Sequence, residues 1–189
     1  MAELSTSLST DLRARAGRLF DRYAYPDWLR RHSQVVGAIG ETLVRARLSA
    51  GDQLDAEHVV LAAYLHDIGR SPLVAGDGRE HNELSALILA AEGLVGCAEL
   101  ARRHPIYAVL DPASTPTTIA EKVVFIADRR GGMSVEPLEA RAADTAARHP
   151  RYADQIARAI PIAKAIEGDV FAGLPFGPDE LAARVELPG

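Results

Sequence analysis

The sequence predicts an all-α fold of about seven to eight helices in a single domain, and three observations carry that prediction. Apolar residues return every three or four positions along most of the chain, and few segments alternate apolar and polar with a period of two. Gly and Pro fall between the apolar segments instead of gathering into a linker, and no repeat of fixed period is present. With 189 residues the chain can bury a core without disulfides.

Taken in order, Asp11 to Tyr23 places Leu12, Ala16, Leu19 and Phe20 on one helical face and ends before Pro26. Trp28 to Leu48 carries Val35, Val36, Ile39, Leu43 and Ala46 at the same spacing, with Gly51 as the stop. Asp55 caps a third helix through Val59, Leu61, Ala62, Tyr64 and Leu65, which runs into His66 and breaks near Gly69 and Pro72. Its apolar density predicts a buried element. Ser71 to Arg79, with Pro72, Gly76 and Gly78, reads as a loop before a helix over about Glu80 to Glu92. On that helix Leu87, Ile88 and Leu89 are assigned to the core. A fifth helix over Val95 to His104 stops at Pro105. Thr115-Pro116 reads as the start of the next, with Val123 to Ile126 behind it and Gly131-Gly132 as its end. Ser134 caps an Ala-rich helix to about Arg148, and a last one spans Tyr152 to Phe171 with a bend at Pro161. One domain over 1–189 follows, its core roughly 24–132 and the helices of 134–189 packed on it.

Composition narrows the function. With 26 acidic against 21 basic residues the net charge is -5, which offers no general attraction for nucleic acid or an anionic membrane surface, so an anionic substrate must be met locally. Cys97 is the only cysteine, which excludes an intramolecular disulfide and a thiolate zinc site and fits a small buried hydrophobe in a reducing compartment. No signal-peptide core lies in Met1 to Phe20, and no apolar run has transmembrane length, so a cytoplasmic location is expected. Homodimerisation is left open.

Against this background His32, the pair His66-Asp67 and Asp128 stand out, each on a strongly apolar helix or at its end. An ionised carboxylate directly after Phe125-Ile126-Ala127 must be paired, protonated or metal-bound, because burying it unpaired costs several kcal/mol or more. Imidazole and carboxylate together suit borderline divalent ions, and a carboxylate can bridge two. His58 and His149 match no such position and are expected at the surface.

These residues resemble the HD superfamily of metal-dependent phosphohydrolases, whose pattern H…HD…D is spread over successive helices. The resemblance covers roughly His32 to Gly132, over half the chain. His66-Asp67-Ile68-Gly69-Arg70 is similar to the family's HDIGK, with arginine for lysine, and Glu121 to Asp128 is similar to the segment before the family's last ligand. His81 and His104 extend the match to the six-ligand pattern H…HD…H…H…D of the binuclear branches, among them the YqeK-type symmetrical diadenosine tetraphosphate hydrolases. The GYP motif of the cyclic dinucleotide branch is absent. Arg129-Arg130-Gly131-Gly132 departs from the usual residues after the last aspartate.

The resemblance implies a metal set of His32, His66, Asp67, His81, His104 and Asp128 holding one or two divalent ions. Iron and manganese are favoured, and cobalt, zinc, nickel and magnesium are compatible. It implies that Asp67 bridges the ions, that a metal-activated water attacks a nucleotide phosphate ester or anhydride, and that no protein nucleophile is needed. Arg70 is placed in catalysis and phosphate binding, and Arg129 and Arg130 are assigned to neutralising the substrate. Gly76 to Arg79 can form a mobile lid. Two alternatives keep the fold: a single-ion nucleoside monophosphate phosphatase in which His81 and His104 touch substrate, and a nucleotide-binding regulatory protein without efficient turnover.

Overall fold

A computed structural model describes residues 5–187. Among them there is no strand, only an isolated antiparallel bridge between Gly131 and Val135. The described residues form nine α-helices: α1 Thr6–Arg22, α2 Asp27–Ser49, α3 Ala56–Leu65, α4 His81–Ala91, α5 Val95–Arg102, α6 Ile119–Arg130, α7 Leu138–Arg148, α8 Ala153–Phe171 and α9 Leu181–Arg184. Short 3-10 turns at Ile68–Arg70, Pro72–Val74 and Ile106–Leu110 join them where the chain must change direction within a few residues.

The centre is α2 against α3, with α6 across α2. Every residue from Val59 to Leu65 is buried, so α3 is apolar on all sides, as a helix enclosed by others must be. Its approach to α2 depends on two glycines. A Cβ at Gly37 would lie 2.1 Å from the Tyr64 ring, and one at Gly40 would lie 2.6 Å from the Ala63 methyl. Close contact brings the Tyr64 hydroxyl to Glu41, to which it donates at 2.7 Å, while Arg13 grips the same carboxylate with Nε and Nη2 at 2.8 and 2.7 Å. This satisfies a carboxylate that is 2% exposed and ties α1, α2 and α3 together. The pair α4–α5 packs beside α3, and α7 and α8 lie on α6.

Several boundaries differ from the sequence expectation, each for a local reason. α1 begins five residues earlier than Asp11, because Ser5 accepts a hydrogen bond from the Leu8 N–H and caps it. α6 starts after Thr118, where Thr118 and Glu121 form a reciprocal capping box. Thr115 instead turns its hydroxyl to carbonyls of the preceding turn, including that of Asp111 at 3.0 Å. Ser134 does not cap α7; residues 131–137 make a tight reversal, with Gly132 N–H donating to the Ser134 carbonyl and Glu136 N–H to that of Arg130, and the helix begins after Pro137. Leu89 is fully buried, but Leu87, two residues earlier and so on the other side of α4, is 45% exposed. α8 continues past Pro161, and beyond it Phe176 and Leu181 are buried in the core.

Candidate metal centre

Three helices and the segments that follow two others aim polar groups into one interior point. His32 sits in the second turn of α2, His66 and Asp67 follow α3, His81 opens α4, His104 follows α5, and Asp128 lies near the end of α6. Five of the six are buried, and the His81 side chain is 17% exposed.

The arrangement divides around the Asp67 carboxylate. Oδ2 lies 3.7 Å from both His32 Nε2 and His66 Nε2. Oδ1 lies 3.4 Å from both His81 Nε2 and His104 Nε2. Asp128 Oδ1 joins the first half, 3.4 Å from His32 Nε2 and 3.7 Å from His66 Nε2. Within each half the two imidazole nitrogens approach to 3.1 Å and 3.2 Å. His32, His66 and Asp128 form one group with donor atoms close enough for a single ion, and His66, Asp67 and His104 form another.

The surroundings set which nitrogens face inward. His66 Nδ1 lies 2.9 Å from the Ala63 carbonyl and His104 Nδ1 lies 2.6 Å from that of Ala101. A carbonyl can only accept, so Nδ1 carries the proton in both rings and each Nε2 turns a lone pair to the centre. Asp67 Oδ1 is buried without a hydrogen bond of good geometry, although Arg70 Nε lies 2.8 Å away. Inward lone pairs, two anions and an orphaned carboxylate oxygen together are the donor set a divalent cation satisfies.

Protonation is consistent with that reading. Burial pushes His66 down to about 4 and His81 to about 3, against the attraction of Asp67 in each case, so both rings are neutral at pH 7. Burial opposes the charge on Asp67 and Asp128, yet Arg70 and His66 around the first, and Arg129 and His32 around the second, hold both well below the usual carboxylate range. In the unfolded chain the imidazoles take protons near ~6.5, so the unfolded state binds more protons between that value and the folded ones. Stability therefore falls as pH drops from about 6.5 through about 4, and the two aspartates add to the loss below their ordinary range. Chelated protein followed by thermal melting should show a steady drop in Tm over this window. A flat Tm from pH 7 to about 4 contradicts the burial of neutral imidazoles.

The arginines divide. Arg70 contacts Asp67 and lies 3.0 Å from His81 Nε2 through Nη2, with its side chain 43% exposed at the rim. Arg129 pairs with Asp128 Oδ2 and lies over the Phe125 ring. Arg130 does not join the cluster: Nε and Nη2 donate to the carbonyls of Glu136 and Pro178, and Nη1 donates to Glu167 at 2.7 Å, both side chains being 4% exposed. The substrate-neutralising role expected of Arg130 is corrected to that of a buried clamp between α6, α8 and the C-terminal segment. His149 is exposed, while His58 is half-buried, pairing with Asp55 at 2.7 Å and packed over Gly96.

Two groups near the centre escaped the sequence reading. The Tyr25 hydroxyl is buried with no partner, and burial, then the Asp67 charge, hold its proton tightly. Arg141 lies on α7 within the electrostatic reach of Asp128. Neither belongs to a short motif, and only the packing brings them near.

A family model described as "HD domain" matches residues 29–133. No curated protein and no solved structure matches the chain.

Proposed function

The chain belongs to the HD-domain family, and from that premise we propose that it is a binuclear metal-dependent phosphohydrolase acting on a phosphate ester or anhydride of a nucleotide. The observation that carries the reading is the division of four inward imidazole nitrogens, two to each oxygen of Asp67. A bridging carboxylate between two donor pairs suits two ions. On this reading His32, His66 and Asp128 hold one ion, His81 and His104 hold the other, and Asp67 serves both. When bound, such ions supply a water acidified towards neutrality and positive charge for the phosphoryl oxygens.

The chain's own groups do the rest. Carbonyls of Ala63 and Ala101 fix the tautomers of His66 and His104, so no reorientation is needed when ligands arrive. Arg70 and Arg129 keep Asp67 and Asp128 ionised. The apolar walls of α2, α3 and α6 exclude bulk water behind the centre, which strengthens every charge interaction within it. On this reading Arg70, at the rim with its side chain 43% exposed, meets a phosphoryl group of the substrate with the guanidinium nitrogens that Asp67 and His81 leave free. No side-chain nucleophile is required.

Purified without an affinity tag that binds metal, the full chain should carry two ions of iron or manganese. It should hydrolyse at least one of dinucleoside polyphosphates, nucleoside monophosphates or cyclic dinucleotides, with loss of turnover on chelation. Inactivity on all three with manganese or iron supplied overturns the reading. One ion per chain with turnover on monophosphates moves it to a single-ion phosphatase.

A further inference from the structure

The corner between α1 and α2 carries a hydroxyl that takes no part in the metal set. α1 ends in a Schellman turn, in which the Ala24 N–H donates to the Asp21 carbonyl at 3.1 Å and the Tyr25 N–H to that of Phe20 at 2.9 Å. Tyr25 stacks on Phe20 with ring centroids 4.6 Å apart, the apolar contact that completes such a turn. Pro26 then leads into α2, the helix that carries His32. The Ser71 hydroxyl, just past the Ile68–Arg70 turn, donates to the Tyr23 carbonyl at 2.6 Å, so the corner is pinned to the chain that follows Asp67.

Two features of this corner cost folding free energy. Ala24 takes a φ of 49°, the left-handed region that glycine occupies without penalty. The Tyr25 hydroxyl is buried with no hydrogen-bond partner among the described residues, a cost that phenylalanine would avoid while keeping the stack on Phe20. At 6% exposed, Tyr25 lies as deep as Asp67 at 5%, and the charges that act on its hydroxyl are that of Asp67 first and that of Arg30 second. Burial and the neighbouring anion keep the proton on the oxygen, so the group can donate a hydrogen bond at any physiological pH. Arg70 and Arg129 already face Asp67 and Asp128, whereas the Tyr25 O–H faces no acceptor. Strain and unmet polar groups of this kind gather where a fold is shaped for a ligand.

We propose that the Tyr25 hydroxyl is a catalytic hydrogen-bond donor, held by the Schellman turn and the Phe20 stack, that meets an oxygen of the phosphoryl group at the centre. This rests on the phosphohydrolase reading above and adds to it a neutral donor outside the metal set. A donor fixed before the substrate arrives needs no reorganisation as charge grows on that oxygen, and where water is excluded its effect is larger than in solution. The hydroxyl left unmet in the free protein is satisfied when the oxygen accepts it.

Tyr25→Phe removes the hydroxyl alone and tests this in the full manganese-loaded chain. Turnover should fall about a hundredfold, the loss typical of one such donor. Affinity for inorganic phosphate, read by titration calorimetry, should weaken about tenfold or more, while elemental analysis still finds both ions. The chelated variant should melt at or above the wild-type Tm, because an unpartnered hydroxyl has been removed. A hydroxyl with a purely structural role cannot give lower function and undiminished stability together. Tyr23→Phe is the control: its hydroxyl donates to Glu92 at 2.8 Å at the end of α4, so Tm should fall while turnover and phosphate affinity stay as in wild type. The proposal is overturned if wild type binds no phosphate, or if turnover or phosphate affinity of Tyr25→Phe stays within about threefold of wild type. Loss of an ion in Tyr25→Phe, or a fall in its chelated Tm as large as that of Tyr23→Phe, overturns it too. Absent turnover in manganese-loaded wild type defeats the hydrolase reading instead, and phosphate affinity and Tm still decide the role of the hydroxyl.

Discussion

Asp67→Asn is expected to lower turnover by about a thousandfold or more and to reduce bound metal from two ions per chain to one or none. A thousandfold corresponds to about 4 kcal/mol of transition-state stabilisation. The size follows from the geometry: each carboxylate oxygen faces a different pair of imidazole nitrogens, at 3.7 Å for Oδ2 and 3.4 Å for Oδ1. An amide of the same shape keeps one oxygen, replaces the other with an NH2 group that points hydrogens at the centre, and removes the negative charge that both ions need. His32, His66 and Asp128 retain their mutual spacing, so one weakly held ion is the most that should remain. Elemental analysis reads the stoichiometry without reference to substrate, and circular dichroism checks that the helices persist. A variant that keeps two ions and more than a tenth of wild-type turnover removes Asp67 from the bridging position.

How much of this was legible beforehand depends on whether the information is local. Spacing on α2, α3 and α6 put His32, His66-Asp67 and Asp128 on apolar helices, and burying polar groups there demands a common solution, which is why these positions could be read from one sequence. Helix starts were less legible. Thr115-Pro116 carries a good start signal, but Thr118 with Glu121 three residues on satisfies two backbone donors where Thr115 would satisfy one. The start of α7 depends on the Gly131–Val135 bridge, a contact between residues that no helical period encodes. Arg130 was separable in principle: at 100° per residue it lies about 200° around α6 from Asp128, so a side chain at 128 that faces the centre leaves 130 facing α8. Arg141 could not have been found this way, because its relation to the centre exists only once α7 has packed on α6.

Gly69→Ala should separate the two halves of the centre. This glycine has ordinary backbone angles, so its importance is steric: a Cβ there would sit 2.1 Å from the carbonyl oxygen of His81, 2.7 Å from the backbone nitrogen of Ser85 and 2.8 Å from the Leu84 Cβ. Two of those atoms are helix backbone and cannot rotate aside, so α4 must move. The Gly69 N–H also donates to the Ser85 hydroxyl at 2.9 Å, a bond that the displacement weakens. His81 is the first residue of α4, and its Nε2 lies 3.4 Å from Asp67 Oδ1 and 3.2 Å from His104 Nε2, so the second half opens while His32, His66 and Asp128, carried by other elements, stay in place. Expected results are a second ion bound substoichiometrically, turnover lowered about a hundredfold as for a misplacement near 1 Å, and a stability loss of about 1–3 kcal/mol for the overpacking. Gly168→Ala makes the matching control, since it lies within α8 with nothing beyond its chain neighbours and the backbone of its own helix inside 4 Å of the added methyl, and should be neutral or stabilising by about 0.4–1 kcal/mol. Full occupancy of both ions in Gly69→Ala, measured beside that control, would detach the second half of the centre from α4 and with it the assignment of His81.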